Sequence, residues 1–168
     1  LADGGTVAAS GITIASQAGS SGTLNIGRFG TNDTGGTIIS PTIAFGAGTG
    51  AINFNQSDAV TITSAISGAG TLNQLGAGTT TLSGANTYSG PTGINGGQLI
   101  VNGSISNNSS LYVGESGSGN SMVISNAGTV ASGIGYIGFT NTASNNSVLV
   151  TGANSLWTNS GDLLVGAS

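Results

Sequence analysis

The acidic side chains are the groups of this sequence best suited to catalysis or metal binding. They are Asp3, Asp33, Asp58, Glu115 and Asp162. Asp33 and Asp58 lie 25 residues apart, about one repeat of the chain, so their carboxylates could stack on one face. β-Helical enzymes that cleave polysaccharides use clustered carboxylates, often with calcium and a basic residue. The alternative is that both acids are solvated turn residues near Arg28.

The residue inventory excludes most other catalytic sites. The chain has no His and no Cys, and Arg28 is its single basic residue. Ser-His-Asp and Cys-His sites, zinc sites built from His or Cys, and lysine Schiff bases are therefore impossible. The Gly-rich run 114–119 precedes no plausible helix, so it reads as a turn and not as a phosphate loop. We predict a non-enzyme with no catalytic residue, no cofactor and no metal.

Charge and hydropathy narrow the possible partners. Only 4% of the residues are charged, and the formal net charge is −4. A single basic residue cannot track a phosphate backbone, which excludes nucleic acid as a partner. No apolar stretch approaches the roughly 18 residues of a membrane span, so we expect no direct membrane insertion of this segment. A mean hydropathy of +0.25 with 32 glycines favours an ordered, turn-rich β protein over a disordered chain.

Short alternating runs of apolar and polar residues predict β-strands throughout the chain. Examples are 60–63, 80–83, 98–101 and 148–151, each bounded by Gly, Asn or Ser. Helical periodicity is missing, and glycine recurs too often for helices. The sequence therefore predicts an all-β fold.

An internal repeat defines the architecture. The tripeptides 112–114, 136–138 and 164–166 share the pattern of an apolar or aromatic residue, then Val or Ile, then Gly, at steps of 24 and 28 residues. Repeats of this length built from short strands indicate coils stacked along one axis at about 4.8 Å. We predict a right-handed parallel β-helix of roughly six to eight coils. It forms a single β-solenoid segment over 1–168, with degenerate repeats over about 111–168.

Alternation along the strands predicts which side chains point inward. The predicted core is Leu24, Ile26, Ile43, Phe45, Ile52, Phe54, Val60, Ile62, Leu72, Leu82, Leu99, Val101, Val113, Val123, Ile137, Leu149 and Val165. Trp157 is interpreted as a core or coil-edge residue.

The same alternation places Tyr112, Tyr136 and Leu164 on the outside, one above the other. An exposed apolar ladder can mark a contact or self-association face. The alternative is that stacked aromatic residues only strengthen the solenoid, since cross-strand aromatic pairs stabilise sheets by about 0.2–1 kcal/mol each. These three residues are the candidate contact face.

One stretch carries a family resemblance. Residues 76–92 read Gly-Ala-Gly-Thr-Thr-Thr-Leu-Ser-Gly-Ala-Asn-Thr-Tyr-Ser-Gly-Pro-Thr, and Ile94 is followed by Gly97, Leu99 and Val101. Together with Gly-Ala-Gly-Thr-Leu at 68–72, this resembles the autotransporter-associated β-strand repeat, over about 68–101. The resemblance implies a β-helical passenger that is exported through the bacterial outer membrane to the cell surface or beyond. It provides no catalytic residues to transfer.

These observations predict a structural stalk or adhesin segment of a surface-exposed or secreted protein. A host-surface or matrix molecule is a possible ligand. Because the pattern starts and stops mid-repeat, we expect the chain to be a piece of a longer protein. One alternative is a self-assembling extracellular filament subunit, since open coil ends favour end-to-end stacking. A second is a polysaccharide-binding or polysaccharide-cleaving β-helix protein.

Overall fold

The computed structural model describes residues 1–107 and 109–166, and those residues form 21 short β-strands. The strands are β1 (Thr6–Ala8), β2 (Ile12–Ile14), β3 (Ser21–Ile26), β4 (Thr37–Ile39), β5 (Thr42–Phe45), β6 (Thr49–Phe54), β7 (Ala59–Ile62), β8 (Ala65–Ser67), β9 (Gly70–Gln74), β10 (Thr79–Leu82), β11 (Ala85–Asn86), β12 (Thr92–Ile94), β13 (Gln98–Val101), β14 (Ser104–Ser106), β15 (Leu111–Val113), β16 (Ser121–Ile124), β17 (Thr129–Ser132), β18 (Gly135–Ile137), β19 (Ser147–Val150), β20 (Leu156–Asn159) and β21 (Leu163–Val165). Within this described part of the chain, no helix is long and apolar enough to cross a membrane.

Every strand ladder is parallel and joins a strand to the one three places further along the chain. Three strands therefore make one coil, and each coil stacks on the one before it. The longest sheet contains seven strands in the order β3-β6-β9-β12-β15-β18-β21, which corresponds to about six turns. This confirms the predicted all-β parallel solenoid.

Coil length varies, yet the ladders stay in register. In the seven-stranded sheet the stacked inward positions are Ile26, Phe54, Gln74, Ile94, Val113, Ile137 and Val165. Successive steps along this ladder range from 19 to 28 residues. Parallel strands tolerate this variation because their hydrogen bonds depend only on the paired segments.

Most of the variation lies at one corner of the solenoid, where the chain leaves the seven-stranded sheet. We call these connections the variable corner; they comprise residues 27–36, 55–58, 75–78, 95–97, 114–120 and 138–146. Gly27, Gly114 and Gly138 begin the three long connections with φ of 78°, 78° and 73°. Glycine reaches these angles without steric cost, which lets the chain turn sharply out of the strand.

The inward residues form one continuous core. The buried apolar side chains are Ile14, Ile26, Ile38, Ile43, Phe45, Ile52, Phe54, Val60, Ile62, Ile66, Leu72, Leu82, Tyr88, Ile94, Leu99, Val101, Ile105, Leu111, Val113, Met122, Ile124 and Val130. Twelve of the 17 predicted core residues are among them. Leu24 and Ile137 are half-buried, and Leu24 packs against the core.

Three predicted core residues are placed differently by the structure. Val123 and Leu149 point outward as register partners, while the residues on either side of each point inward. Val165 does occupy an inward ladder position, but its side chain is 71% exposed because β21 is the last strand of its sheet. Trp157 packs half-buried against the core, and its indole N–H donates to Ser132 Oγ at 3.1 Å.

A polar cluster interrupts the apolar core between adjacent coils. Gln56, Gln74 and Thr80 are each 0% exposed. Gln56 Nε2 donates to Thr80 Oγ1 at 2.9 Å, and the Thr80 hydroxyl donates to Gln74 Oε1 at 2.6 Å. Each bond offsets part of the desolvation that burial imposes on these groups.

Candidate functional site

The outward positions of the seven-stranded sheet form a second ladder, which we call the outer ladder. Its members, in stacking order, are Asn25, Asn53, Asn73, Gly93, Tyr112, Tyr136 and Leu164. Parallel in-register pairing brings residues 19 to 28 positions apart into direct contact. The candidate contact residues are therefore neighbours on one face.

Tyr112 and Tyr136 stack face to face within this ladder. Their ring centroids are 4.9 Å apart and their planes differ by 3°. This separation equals the distance between paired strands, so the backbone sets it. Leu164 continues the row above Tyr136, and all three side chains are half-buried. We call these three residues the aromatic ladder; its role as a contact face stays a prediction.

Phe139 is a member of this cluster that the sequence analysis missed. Its ring meets Tyr136 edge-on at 4.8 Å and Tyr112 at 5.5 Å, with interplanar angles of 75° and 74°. Edge-to-face contact is favourable because the positive ring edge meets the negative ring face. The available signal was the glycine before it, because Gly138 turns the chain back beside the tyrosines.

The other half of the outer ladder is built from amides. Asn53 Nδ2 donates to Asn25 Oδ1 at 3.2 Å, and Asn73 Nδ2 donates to Asn53 Oδ1 at 2.9 Å. Stacked parallel strands favour such asparagine ladders, because each amide meets an identical one in the next strand. We call Asn25, Asn53 and Asn73 the amide ladder.

The two candidate catalytic acids lie in neighbouring coils, but their carboxylates bind different partners. Asp33 pairs with Arg28 Nε, and Arg28 Nη2 also contacts Asp3 at 3.0 Å. Asp58 Oδ1 instead accepts a hydrogen bond from the Gly35 N–H at 2.7 Å. This arrangement fits structural turn acids.

The Arg28 side chain lowers the pKa of Asp33, chiefly through its hydrogen bond to that carboxylate. An acid with a lowered pKa stays ionised at neutral pH and has no proton to donate. The same hydrogen bond raises the pKa of Arg28. Over residues 1–107 and 109–166, no three His, Cys, Asp or Glu side chains group in a way that could hold a metal ion.

The centre of the chain matches a known family. The model of the passenger-associated-transport-repeat matches residues 72–101. These residues are therefore similar to the repeats of autotransporter passengers. The match confirms the resemblance found in the sequence and begins a few residues after the predicted start at 68.

A curated relative supports the same assignment. The chain is 45% identical over 69 residues to a protein named Adhesin BmaC autotransporter, from Brucella suis biovar 1 (strain 1330). The similar region covers 40% of this chain and 2% of that adhesin. No solved structure shows significant similarity to the chain.

The structure shows what the residues of the matched repeat do. Six of its apolar or aromatic side chains are 0% exposed: Leu72, Leu82, Tyr88, Ile94, Leu99 and Val101. The Tyr88 hydroxyl lies 2.6 Å from Thr92 Oγ1, and burial raises the pKa of Tyr88. Asn86 accepts from the Ile66 N–H and donates to the Gly84 and Ser104 carbonyls, so it ties together three coils. The repeat pattern therefore encodes the core and the coil-to-coil bonding.

Proposed function

We propose that this chain is a rigid, non-catalytic shaft segment of a bacterial surface adhesin that is exported as an autotransporter passenger. Its proposed role is to act as a spacer of fixed length. Seven stacked strands at about 4.8 Å each span roughly 30 Å along the solenoid axis. Such a shaft carries other parts of the parent protein away from the cell surface.

The observation that carries this proposal is how the repeat residues are used. Leu72, Tyr88 and Asn86 pack the core or bond adjacent coils, and none of them faces a substrate cleft. The described acids form ion pairs or accept backbone hydrogen bonds where the structure gives them partners. The similarity to an autotransporter adhesin supports a location at the cell surface or outside the cell.

Deletion of one complete coil tests the shaft. Residues 75–94 begin after Gln74 and end with its ladder partner Ile94, so their removal joins strands that are already in register. We expect the shortened chain to fold cooperatively and its longest dimension in small-angle X-ray scattering to fall by about 4.8 Å.

The matched control removes residues 75–84, half a coil, which shifts every later strand out of register. That variant should lose its cooperative thermal transition. If both deletions abolished the cooperative thermal transition, a shaft built from separable coils would be contradicted.

A further inference from the structure

The variable corner contains a cleft of about 320 Å³ that the shaft role leaves unexplained. The long connection 27–36 leans over the short connections of the next two coils. Phe29 and Asn32 line one wall, Leu75 and Ala77 line the other, and Asn55 lies between them. A volume near 300 Å³ is at the lower end of the range for small-molecule sites.

The walls of the cleft are uncharged and combine apolar with polar side chains. Phe29 is 81% exposed, although a free aromatic ring in water is unfavourable. Leu75 is half-buried on the opposite side. None of the residues that line the cleft is charged. The cleft therefore suits a ligand with an uncharged, partly apolar surface.

Asn55 is the buried polar side chain of the cleft, and its hydrogen bonding is incomplete. The residue is 4% exposed, and its Oδ1 has no hydrogen-bond partner within residues 1–107 and 109–166. Its Nδ2 makes two long bonds, at 3.3 Å to the Gly27 carbonyl and 3.4 Å to Asn25 Oδ1. Buried polar groups are normally paired, so a ligand hydroxyl that bonds this amide would satisfy it. Because Oδ1 is itself buried, the amide must rotate to meet such a hydroxyl, and its two long bonds oppose that rotation only weakly.

The wall that carries Phe29 is held in place before any ligand arrives. Arg28 bridges Asp3 and Asp33, and Thr31 Oγ1 donates to the Arg28 carbonyl at 2.9 Å. Ser57 Oγ donates to the Asn32 carbonyl at 2.8 Å, which ties the connection to the next coil. A preorganised wall loses little conformational entropy on binding. The single basic side chain of the protein is therefore used to shape the cleft, and its charge is matched by two carboxylates.

We propose that this cleft binds a neutral sugar residue of a polysaccharide. A pyranose ring has a C–H face that packs on an aromatic ring and hydroxyls at its rim that bond an amide, which matches Phe29 and Asn55. The adjacent amide ladder offers further polar groups along the shaft for neighbouring sugar units. The site would make the shaft itself adhesive, which goes beyond the spacing role proposed above and does not depend on it.

Nuclear magnetic resonance of the isotope-labelled 168-residue chain tests the proposal. The probes are three neutral oligosaccharides: cellohexaose, chitohexaose and maltohexaose. We expect at least one to shift the signals of residues 29–32, 75–77 and the Asn55 side-chain amide saturably, with a dissociation constant on the order of 1 mM. Failure of all three to give saturable shifts there would overturn the proposal.

Two matched variants separate the cleft from general surface effects. Phe29→Ser should weaken binding about tenfold or more, because the stacking contact is lost. Phe139→Ser removes another exposed aromatic ring, 36% exposed, from the same corner and should leave affinity unchanged. Equal affinities of the two variants would overturn the assignment to the cleft, and so would tighter binding of an aromatic peptide than of any sugar. If both variants keep the cooperative thermal unfolding transition of the unmodified chain, a loss of sugar binding is not caused by unfolding of the solenoid.

Discussion

The two halves of the outer ladder share one sheet but use different chemistry. In the first three coils, Asn25, Asn53 and Asn73 bond through their amides at 2.9–3.2 Å. In the last three, Tyr112 and Tyr136 stack at 4.9 Å and Leu164 follows. Gly93 is the junction between the halves and is itself buried.

This difference shows that backbone pairing and surface chemistry are separable in a solenoid. The ladders on both sides of Gly93 are parallel and in register, and both sides contain buried inward residues, such as Leu72 and Leu111. The outward side chain only has to be compatible with its neighbour one strand away. Amides do so by hydrogen bonding, and aromatic rings do so by stacking.

The largest expected change in stability tests whether the same apolar core supports both halves of the outer ladder. Leu72 and Leu111 occupy equivalent inward positions of the same sheet and are 0% and 1% exposed. We expect Leu72→Ala and Leu111→Ala each to lower the free energy of unfolding by about 2–5 kcal/mol, since each leaves a cavity. Urea denaturation measures both. A loss below about 1 kcal/mol in only one of them would show that the two halves are packed differently.

A smaller effect sharpens the contrast between the ladders themselves. Tyr112→Ser with Tyr136→Ser removes a stacked pair, which alone contributes about 0.5–1.5 kcal/mol beyond area burial. The matched double variant Asn53→Ser with Asn73→Ser removes amide bonds that each contribute about 0.5–1.5 kcal/mol. We expect the tyrosine variant to melt at the lower temperature, because it also loses buried apolar area.

The tyrosine double variant also tests the contact face. If the aromatic ladder mediates self-association, light scattering should show that association disappears together with the stacking. Reduced stability with unchanged association would leave the ladder a purely stabilising role.

The smallest effect concerns an ion cluster found only in the amide half. Since the folded-state pKa of Asp33 is lowered, its contribution to stability is present above the ordinary carboxyl pKa and is lost as the pH falls through the folded-state pKa. Arg28→Gln should therefore speed hydrogen exchange in residues 28–36 at neutral pH and have no effect in strong acid. The aromatic half should exchange at the same rate in both proteins. A difference that persists in strong acid would show that Arg28 acts through packing of its alkyl chain and not through its charge.

The period and the ladders could be predicted from sequence because both follow from short-range patterns. The tripeptides 112–114, 136–138 and 164–166 are aligned as the register of β15, β18 and β21 has them. The prediction that Val123 and Leu149 point inward was wrong. Each is the middle one of three consecutive apolar residues, so alternation alone cannot say which of the three side chains point inward. Tyr88 was missed for a similar reason, since it lies in a connection and outside any alternating strand.

The candidate site residues could be predicted where they lie in strands and were missed where they lie in connections. Alternation placed Tyr112, Tyr136 and Leu164 in one row, because strand periodicity fixes their direction. It could not place Phe29 or Phe139, because they come two residues and one residue after a glycine with positive φ, whose turn no strand pattern describes. The cleft beside Phe29 forms only when a long connection folds over the next two coils, and this depends on Arg28 and Ser57.

The variable corner also makes this chain a natural display scaffold. Its connections range from 95–97 to 27–36 while the strands beside them keep their pairing. A peptide grafted into 114–120 or 138–146 would therefore emerge on the same edge as the cleft, at a height set by the coil chosen. Recognition loops could diversify along this edge, by evolution or by design, without a change in the strand pairing that holds them in place.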